Sequence, residues 1–132
     1  MIAVDSSVLI GVLKREETPA TAAFRRLAGT EPLVIGDIVL LEVLRGASSE
    51  AKAQTVEAWL RSFALAPMLG EAQAVRAASL YRRLRGLGIT PRNTPDLIIA
   101  GWCIAHAVPL LQQDRDFARM AGPLGLALHP LP

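Results

Sequence analysis

The 132-residue chain has one cysteine, two histidines, two tryptophans, one tyrosine and three phenylalanines, and its only lysines are Lys14 and Lys52. A lone Cys103 forms no internal disulfide; its place in an apolar helical run marks it as core and fits a reducing, cytoplasmic setting. His106 and His129 lack ligand-like partners, which removes a zinc centre; the first reads as a core or helix-end residue and the second as part of the tail. So few aromatics leave no base-stacking platform, and Trp59 and Trp102 read as core and interface residues. There is no Gly-rich phosphate loop of the Walker or dinucleotide type. The longest apolar segment, Leu97 to Leu111, is shorter than a membrane span and holds His106 and Pro109, so no transmembrane helix is expected. The first residues carry Asp5 and no basic n-region, unlike a secretory signal.

What is present points to one domain over residues 1–132. Hydrophobic residues make up 52% of the chain and the mean hydropathy is +0.35, high for a small monomer. Some apolar surface is therefore expected to be covered, by a second copy, a tight protein partner or both. The formal net charge is +2, yet 12 of the 14 basic residues are arginine. If Asp5, Glu42, Asp96, Asp114 and Asp116 share one pocket, only seven acids remain to balance them elsewhere. Close groups at Arg25 and Arg26 and at Arg82, Arg83, Arg85 and Arg92 suit phosphate, so nucleic acid is a reasonable partner. A solvated helix face would read the same from charge alone.

Along the chain, apolar strands alternate with helical patterns. Strands are expected at Met1–Asp5, Pro32–Ile35, Phe63–Ala66, Val108–Leu111 and Leu126–His129. Helices are expected at Val8–Leu13, Thr18–Gly29, Ile38–Arg45, Ser48–Ser62, Gly70–Arg85, from Thr94 onward, and at Ala118–Ala121 before Gly122 and Pro123. This order predicts an α/β fold with a parallel sheet. The organising stretch is Asn93 to Phe117: a helix with Thr94 as N-cap and Pro95 first inside it, then a short buried strand and a turn, with acids only at the ends. A helix running back across a sheet and a returning strand bring Asp96, Asp114 and Asp116 to one edge, where open parallel sheets bind ligands.

Singly, most of these acids have a structural reading: Asp5, Asp37 and Asp116 as caps, Asp96 as a first-turn acid favoured by the helix dipole. Glu42 does not fit that account. It lies mid-helix among Ile, Val and Leu, so it needs a cation, a metal or a solvent cleft; Arg45, three residues on, is the structural alternative. Converging carboxylates without His or Cys form a hard-oxygen site suited to Mg²⁺ or Mn²⁺.

Four segments in order, Ile-Ala-Val-Asp-Ser-Ser at the start, Leu-Leu-Glu-Val-Leu-Arg-Gly around Glu42, Pro-Asp-Leu-Ile-Ile-Ala from Pro95, and Leu-Leu-Gln-Gln-Asp-Arg-Asp-Phe from Leu110, resemble the PIN-domain ribonucleases, specifically the VapC toxins of toxin–antitoxin pairs. The resemblance spans nearly the whole chain. It implies a three-layer α/β/α fold around a parallel sheet, a homodimer, RNA cleavage, and inhibition by a VapB-type antitoxin. Asp5, Glu42, Asp96 and Asp114 match the acidic quartet, with Asp116 a fifth acid and Ser7 a small polar position beside Asp5. Gln112 departs from the Thr or Ser of many relatives. On this resemblance, Asp5, Asp96 and Asp114 are expected as principal ligands of one or two ions, Glu42 orients water or completes the shell, and Asp116 supports a second ion or orients Asp114. The arginines would hold the RNA backbone, and without metal the gathered carboxylates should show raised pKa values.

Two other readings compete: a non-catalytic PIN-like binding module with its acids used as caps, and a housekeeping RNA-processing nuclease. A receiver-type phospho-acceptor domain is set aside, because it needs an acid pair after the first strand and a lysine near the end of the sheet.

Overall fold

The computed structural model describes residues 1–131. Four short parallel strands, β1 (Ile2–Val4), β2 (Leu33–Gly36), β3 (Ala64–Ala66) and β4 (Leu110–Leu111), form a sheet in the order β3-β2-β1-β4. β1, β2 and β4 are wholly buried, as expected of apolar strands covered on both faces. Seven helices flank the sheet: α1 (Ser6–Leu13), α2 (Pro19–Leu27), α3 (Asp37–Leu44), α4 (Glu50–Leu60), α5 (Glu71–Gly86), α6 (Thr94–His106) and α7 (Arg115–Leu124). Helices α1 to α4 pack among themselves, and α5 to α7 do likewise, which with the sheet makes the expected three layers.

The strand order reverses at β1. From there the chain builds outward through β2 to β3, then crosses back through α5 and α6 to lay β4 on the other side of β1. Ligand sites of open parallel sheets form at such a reversal, at the carboxyl ends of the strands. The residue after β1 is Asp5 and the third residue after β4 is Asp114, so the topology itself carries two of the acids to one edge.

The helix starts are set by short polar caps. Thr18 and Thr21 form a reciprocal capping box at α2, with Pro19 first inside, and Ser49 caps α4. At α6 the extended cap residue is Asn93 rather than Thr94, which is already helical, and Pro95 is second. Asp37 is not a cap either: Gly36 holds that position, and Asp37 Oδ1 accepts from its neighbour Ile38 N at 2.9 Å, Met68 N at 2.8 Å and Leu69 N at 3.3 Å. It ties the connection after β3 to the start of α3. Gly36 allows this close approach, since a Cβ there would collide with Met68.

Two elements near the C-terminus differ from expectation. α7 runs ten residues, from Arg115 through Gly122 and Pro123 to Leu124, because Phe117, Met120 and Leu124 lie along one buried face. That burial outweighs a local stop signal whose cost falls on the last turn, and Gly125, with φ of 72°, closes the helix. The expected last strand is a single parallel bridge between Leu110 and Leu128, with hydrogen bonds from Leu110 N to Ala127 O (2.9 Å) and His129 N to Leu110 O (2.8 Å). β4 is only two residues long and Pro130 follows, so the ladder has nothing to extend along.

The core joins the strands to Val8, Leu9, Val39, Ile99 and Phe117. Trp59 packs edge-on against Phe24 and Phe63 at its border. Cys103 is buried, and burial pushes its thiol up to about 12, so it is inert core. His106 is exposed at the end of α6 and stacked on Trp102. Among the described residues no helix is long and apolar enough to cross a membrane.

Candidate active site

The five acids arrive on four elements. Asp5 ends β1 in an extended conformation and caps α1. Its Oδ2 accepts from the Ser7 hydroxyl at 2.5 Å and the Ser7 backbone N–H at 3.0 Å. Oδ1 is buried without a partner. Asp96, third residue of α6, is 5% exposed, and its Oδ2 is likewise buried and unpartnered. Asp114 caps α7 by accepting from Asp116 N at 2.9 Å, while its own N–H donates to Gln112 Oε1 at 2.6 Å. Gln112 thus holds the backbone at the first of the closing acids. Asp116 is buried in the first turn of α7, 3.5 Å from Arg119.

Carboxylate oxygens of Asp96, Asp114 and Asp116 lie within 4.8 Å of one another. Asp5 and Glu42 stand outside that triad. The principal trio expected from the sequence was Asp5, Asp96 and Asp114, so Asp116 is closer to the centre than anticipated. Glu42 is half-buried on α3, accepts the Ser6 hydroxyl at 3.1 Å, and makes no ion pair with Arg45 among the described residues. The structural alternative for Glu42 therefore finds no support.

The electrostatics follow from crowding and burial. Burial pushes the Asp5 carboxyl up to about 6; the Ser7 hydrogen bonds oppose the shift and repulsion from Glu42 adds to it. Asp96 rises to about 7, through burial first and then repulsion from Asp5, Asp114, Glu42 and Asp116. Only three buried side-chain oxygens or nitrogens among the described residues lack a hydrogen-bond partner, and two are on these aspartates. Unpaired buried carboxylate oxygens are unfavourable, and a divalent cation satisfies both them and the repulsion. The donors are all hard oxygens, which fits Mg²⁺ or Mn²⁺ and not zinc.

Beside the acids opens a cleft of about 720 Å³ lined by Ser7, Arg92, Gln113, Asp114, Arg115, Asp116 and Arg119. Of the four arginines expected to bind RNA, only Arg92 lies there. Arg83 reaches the carbonyl of Pro123, Arg85 donates to Thr90 Oγ1, and Arg82 borders a separate hollow with Leu69, Tyr81 and Ile98. Sequence reasoning missed Arg115 and Arg119, although the place of Arg115 between Asp114 and Asp116 was a signal in plain view. It also missed Gln113, whose side chain bonds Ser7 O at 3.0 Å and Thr18 Oγ1 at 2.7 Å, and whose backbone N–H donates to Ser7 Oγ at 3.2 Å. That residue joins the turn before α7 to the start of α1.

A parallel sheet whose reversal point gathers buried carboxylates is the architecture of a PIN domain, and the chain belongs to that family: the PIN-domain model matches residues 2–123. Over 122 residues, covering 89% of each chain, it is 29% identical to VapC ribonuclease Mb1587 of Mycobacterium bovis and to ribonuclease VapC11 of Mycobacterium tuberculosis. Its fold is similar to that of VapBC2 from Rickettsia felis bound to a DNA fragment from their promoter (TM-score 0.78, 20% identity, 100% of both chains). VapBC-1 from nontypeable Haemophilus influenzae is also similar (TM-score 0.75, 18% identity, 98% of this chain and 97% of that one).

Proposed function

We propose that the chain is a metal-dependent endoribonuclease of the VapC type, the toxin of a toxin–antitoxin pair, acting on the phosphodiester backbone of RNA. The observation that carries this reading is the pair of orphaned buried oxygens, Asp5 Oδ1 and Asp96 Oδ2, within a cluster of five carboxylates. Acids serving as caps alone would have no reason to leave these atoms buried and unpaired, which argues against a mere binding module. The ribonuclease names of the relatives support the substrate class.

In this reading Asp96, Asp114 and Asp116 hold the ion, with Asp5 Oδ1 completing the shell. When bound, Mg²⁺ or Mn²⁺ supplies Lewis-acid polarisation of a phosphoryl oxygen and lowers the pKa of an attacking water. Glu42 is held through Oε1 by Ser6, which leaves Oε2 to accept a water proton. Ser7 fixes Asp5, and Gln113 fixes Ser7.

The partner is a VapB-type antitoxin, as the VapBC neighbours suggest. Its seat is an apolar cavity of about 620 Å³ bordered by Ile10, Leu13, Val43 and Val56, which shares Glu42 with the site. A segment lying there would reach the acids. The chain also acts as a homodimer in this reading, supported by the exposed Leu41, Leu69 and Val75.

The test is cleavage of total RNA by partner-free protein in Mg²⁺, Mn²⁺ or EDTA, with Asp96→Asn alongside. Metal-dependent cutting absent from the variant is expected; a folded, metal-binding protein that cuts nothing would favour the binding module.

A further inference from the structure

We propose that Arg92 and Arg115 together clamp the phosphates of single-stranded RNA beside the carboxylate cluster, making the cleft at Asp114 and Asp116, and not the arginine-rich face of α5, the track of the nucleic acid. The inference rests on the endoribonuclease reading and adds to it where the backbone is gripped.

Three observations carry it. Arg92 lies two residues before α6, the helix that positions Asp96, and Arg115 is the first residue of α7, which Asp114 caps. The two guanidinium groups therefore come from the starts of the two helices that bring the acids, and both line the cleft.

Neither side chain has a carboxylate partner among the described residues, and both are exposed. Arg119, the third arginine of the cleft, is paired with Asp116. Arg115 is also placed against its helix: a positive charge in the first turn opposes the dipole, where an acid would be favoured. A charge kept where it destabilises its own element, with no partner, is expected of a binding residue.

On α5, Arg83 and Arg85 are engaged by the chain itself, and Arg82, though exposed and without an ion-pair partner among the described residues, borders an apolar hollow and not the cleft beside the acids. The cleft, about 720 Å³, falls within the roughly 300–1,000 Å³ range of small-ligand pockets. No aromatic side chain lines it, so the grip is on the backbone and not on stacked bases.

The experiment measures binding of a fluorescent mixed-sequence single-stranded RNA across a KCl series. It uses the full chain carrying Asp96→Asn in chelator, so that neither cutting nor metal enters. Each of R92Q and R115Q should lower the slope of log K against log salt by about 0.7, the value for one phosphate contact on a single strand, and the double variant by about twice that. R82Q/R83Q should leave the slope unchanged. R115Q should keep or raise the melting temperature while weakening binding, a pairing that a structural role does not produce. An unchanged slope in the double variant, or a larger loss in R82Q/R83Q, overturns the clamp. Metal-dependent RNA cutting by the wild-type chain would then still leave the nuclease reading standing, whereas a wild-type chain that neither binds nor cuts RNA removes both.

Discussion

The Ser7 hydroxyl and the Ser7 backbone N–H both donate to Asp5 Oδ2, at 2.5 Å and 3.0 Å, while Asp5 Oδ1 is left buried with no partner. One oxygen is fixed by the chain and the other is kept free, an arrangement that aims a ligand. Removing the hydroxyl in Ser7→Ala leaves the backbone bond and the cap in place but frees the carboxylate to turn. Mn²⁺ affinity, measured calorimetrically, should fall by about 10–100-fold, the usual effect of an outer-shell partner, and Ser7→Thr should restore it. Equal affinity in wild type and Ser7→Ala would remove Ser7 from the site.

Asp96 is the acid most burdened by its neighbours, and its replacement separates stability from function. At about pH 8, where its carboxyl is ionised, Asp96→Asn removes a buried charge that four other acids repel, so the metal-free variant should melt higher than metal-free wild type. Its RNA cleavage should drop by more than the roughly 10–100-fold of an outer-shell change, since in the proposed mechanism Asp96 would hold the ion directly. Retained cleavage would take Asp96 out of the mechanism, and a lower melting point would show that its carboxylate is structural.

Three of the acids were legible because each sits at or just after a boundary that local chemistry marks. Asp5 follows an apolar strand, Asp96 follows Pro95 at a helix start, and Asp114 follows Leu110 and Leu111. Alternating strands and helices then imply that such boundaries meet at one sheet edge. What was not legible depends on distance along the chain. Asp37 looks like a cap locally, but its partners Met68 and Leu69 lie beyond β3. Arg45, three residues away, was the local structural alternative for Glu42, which is held by Ser6, 36 residues away. Gly122 and Pro123 looked like a stop until Phe117, Met120 and Leu124 were seen to bury one face of α7. Arg115 and Arg119 were overlooked because arginines clustered on α5 drew the charge argument to a helix face.

Glu42→Gln keeps the shape and the Ser6 hydrogen bond but removes the proton acceptor. Cleavage should fall by about 100-fold or more, as for loss of a general base, with the melting temperature little changed. Arg45→Ala should leave both untouched, since Arg45 is exposed and unpaired with Glu42 among the described residues. If Glu42→Gln unfolds the protein and Arg45→Ala weakens it, the two residues form a structural pair after all.

The proposed homodimer can be tested at its apolar surface. Leu41 on α3 is 58% exposed and Val75 on α5 is 71% exposed, apolar side chains that a second copy would cover. L41E/V75E should halve the mass seen by light scattering while helical content stays the same. An unaltered dimer mass would move the interface elsewhere, and a wild-type monomer would remove it.

Without metal, stability should fall as pH rises. Asp5 and Asp96 hold their protons up to about 6 and about 7 in the folded chain, against 3.8 for the free carboxyl. Between those limits the folded state carries more protons than the unfolded state, so the slope of unfolding free energy against pH is negative. The contribution is complete below 3.8 and lost as pH passes through about 6 and about 7. A divalent ion reverses the trend, because it replaces the protons and binds most tightly to the ionised acids. Melting in EDTA should therefore drop between about pH 4 and about pH 7, and the gain from Mg²⁺ should widen over the same range with proton release on binding. Asp96→Asn should flatten the EDTA curve. If wild type and Asp96→Asn gave the same pH profile, the buried proton on Asp96 would not be what links this site to the stability of the fold.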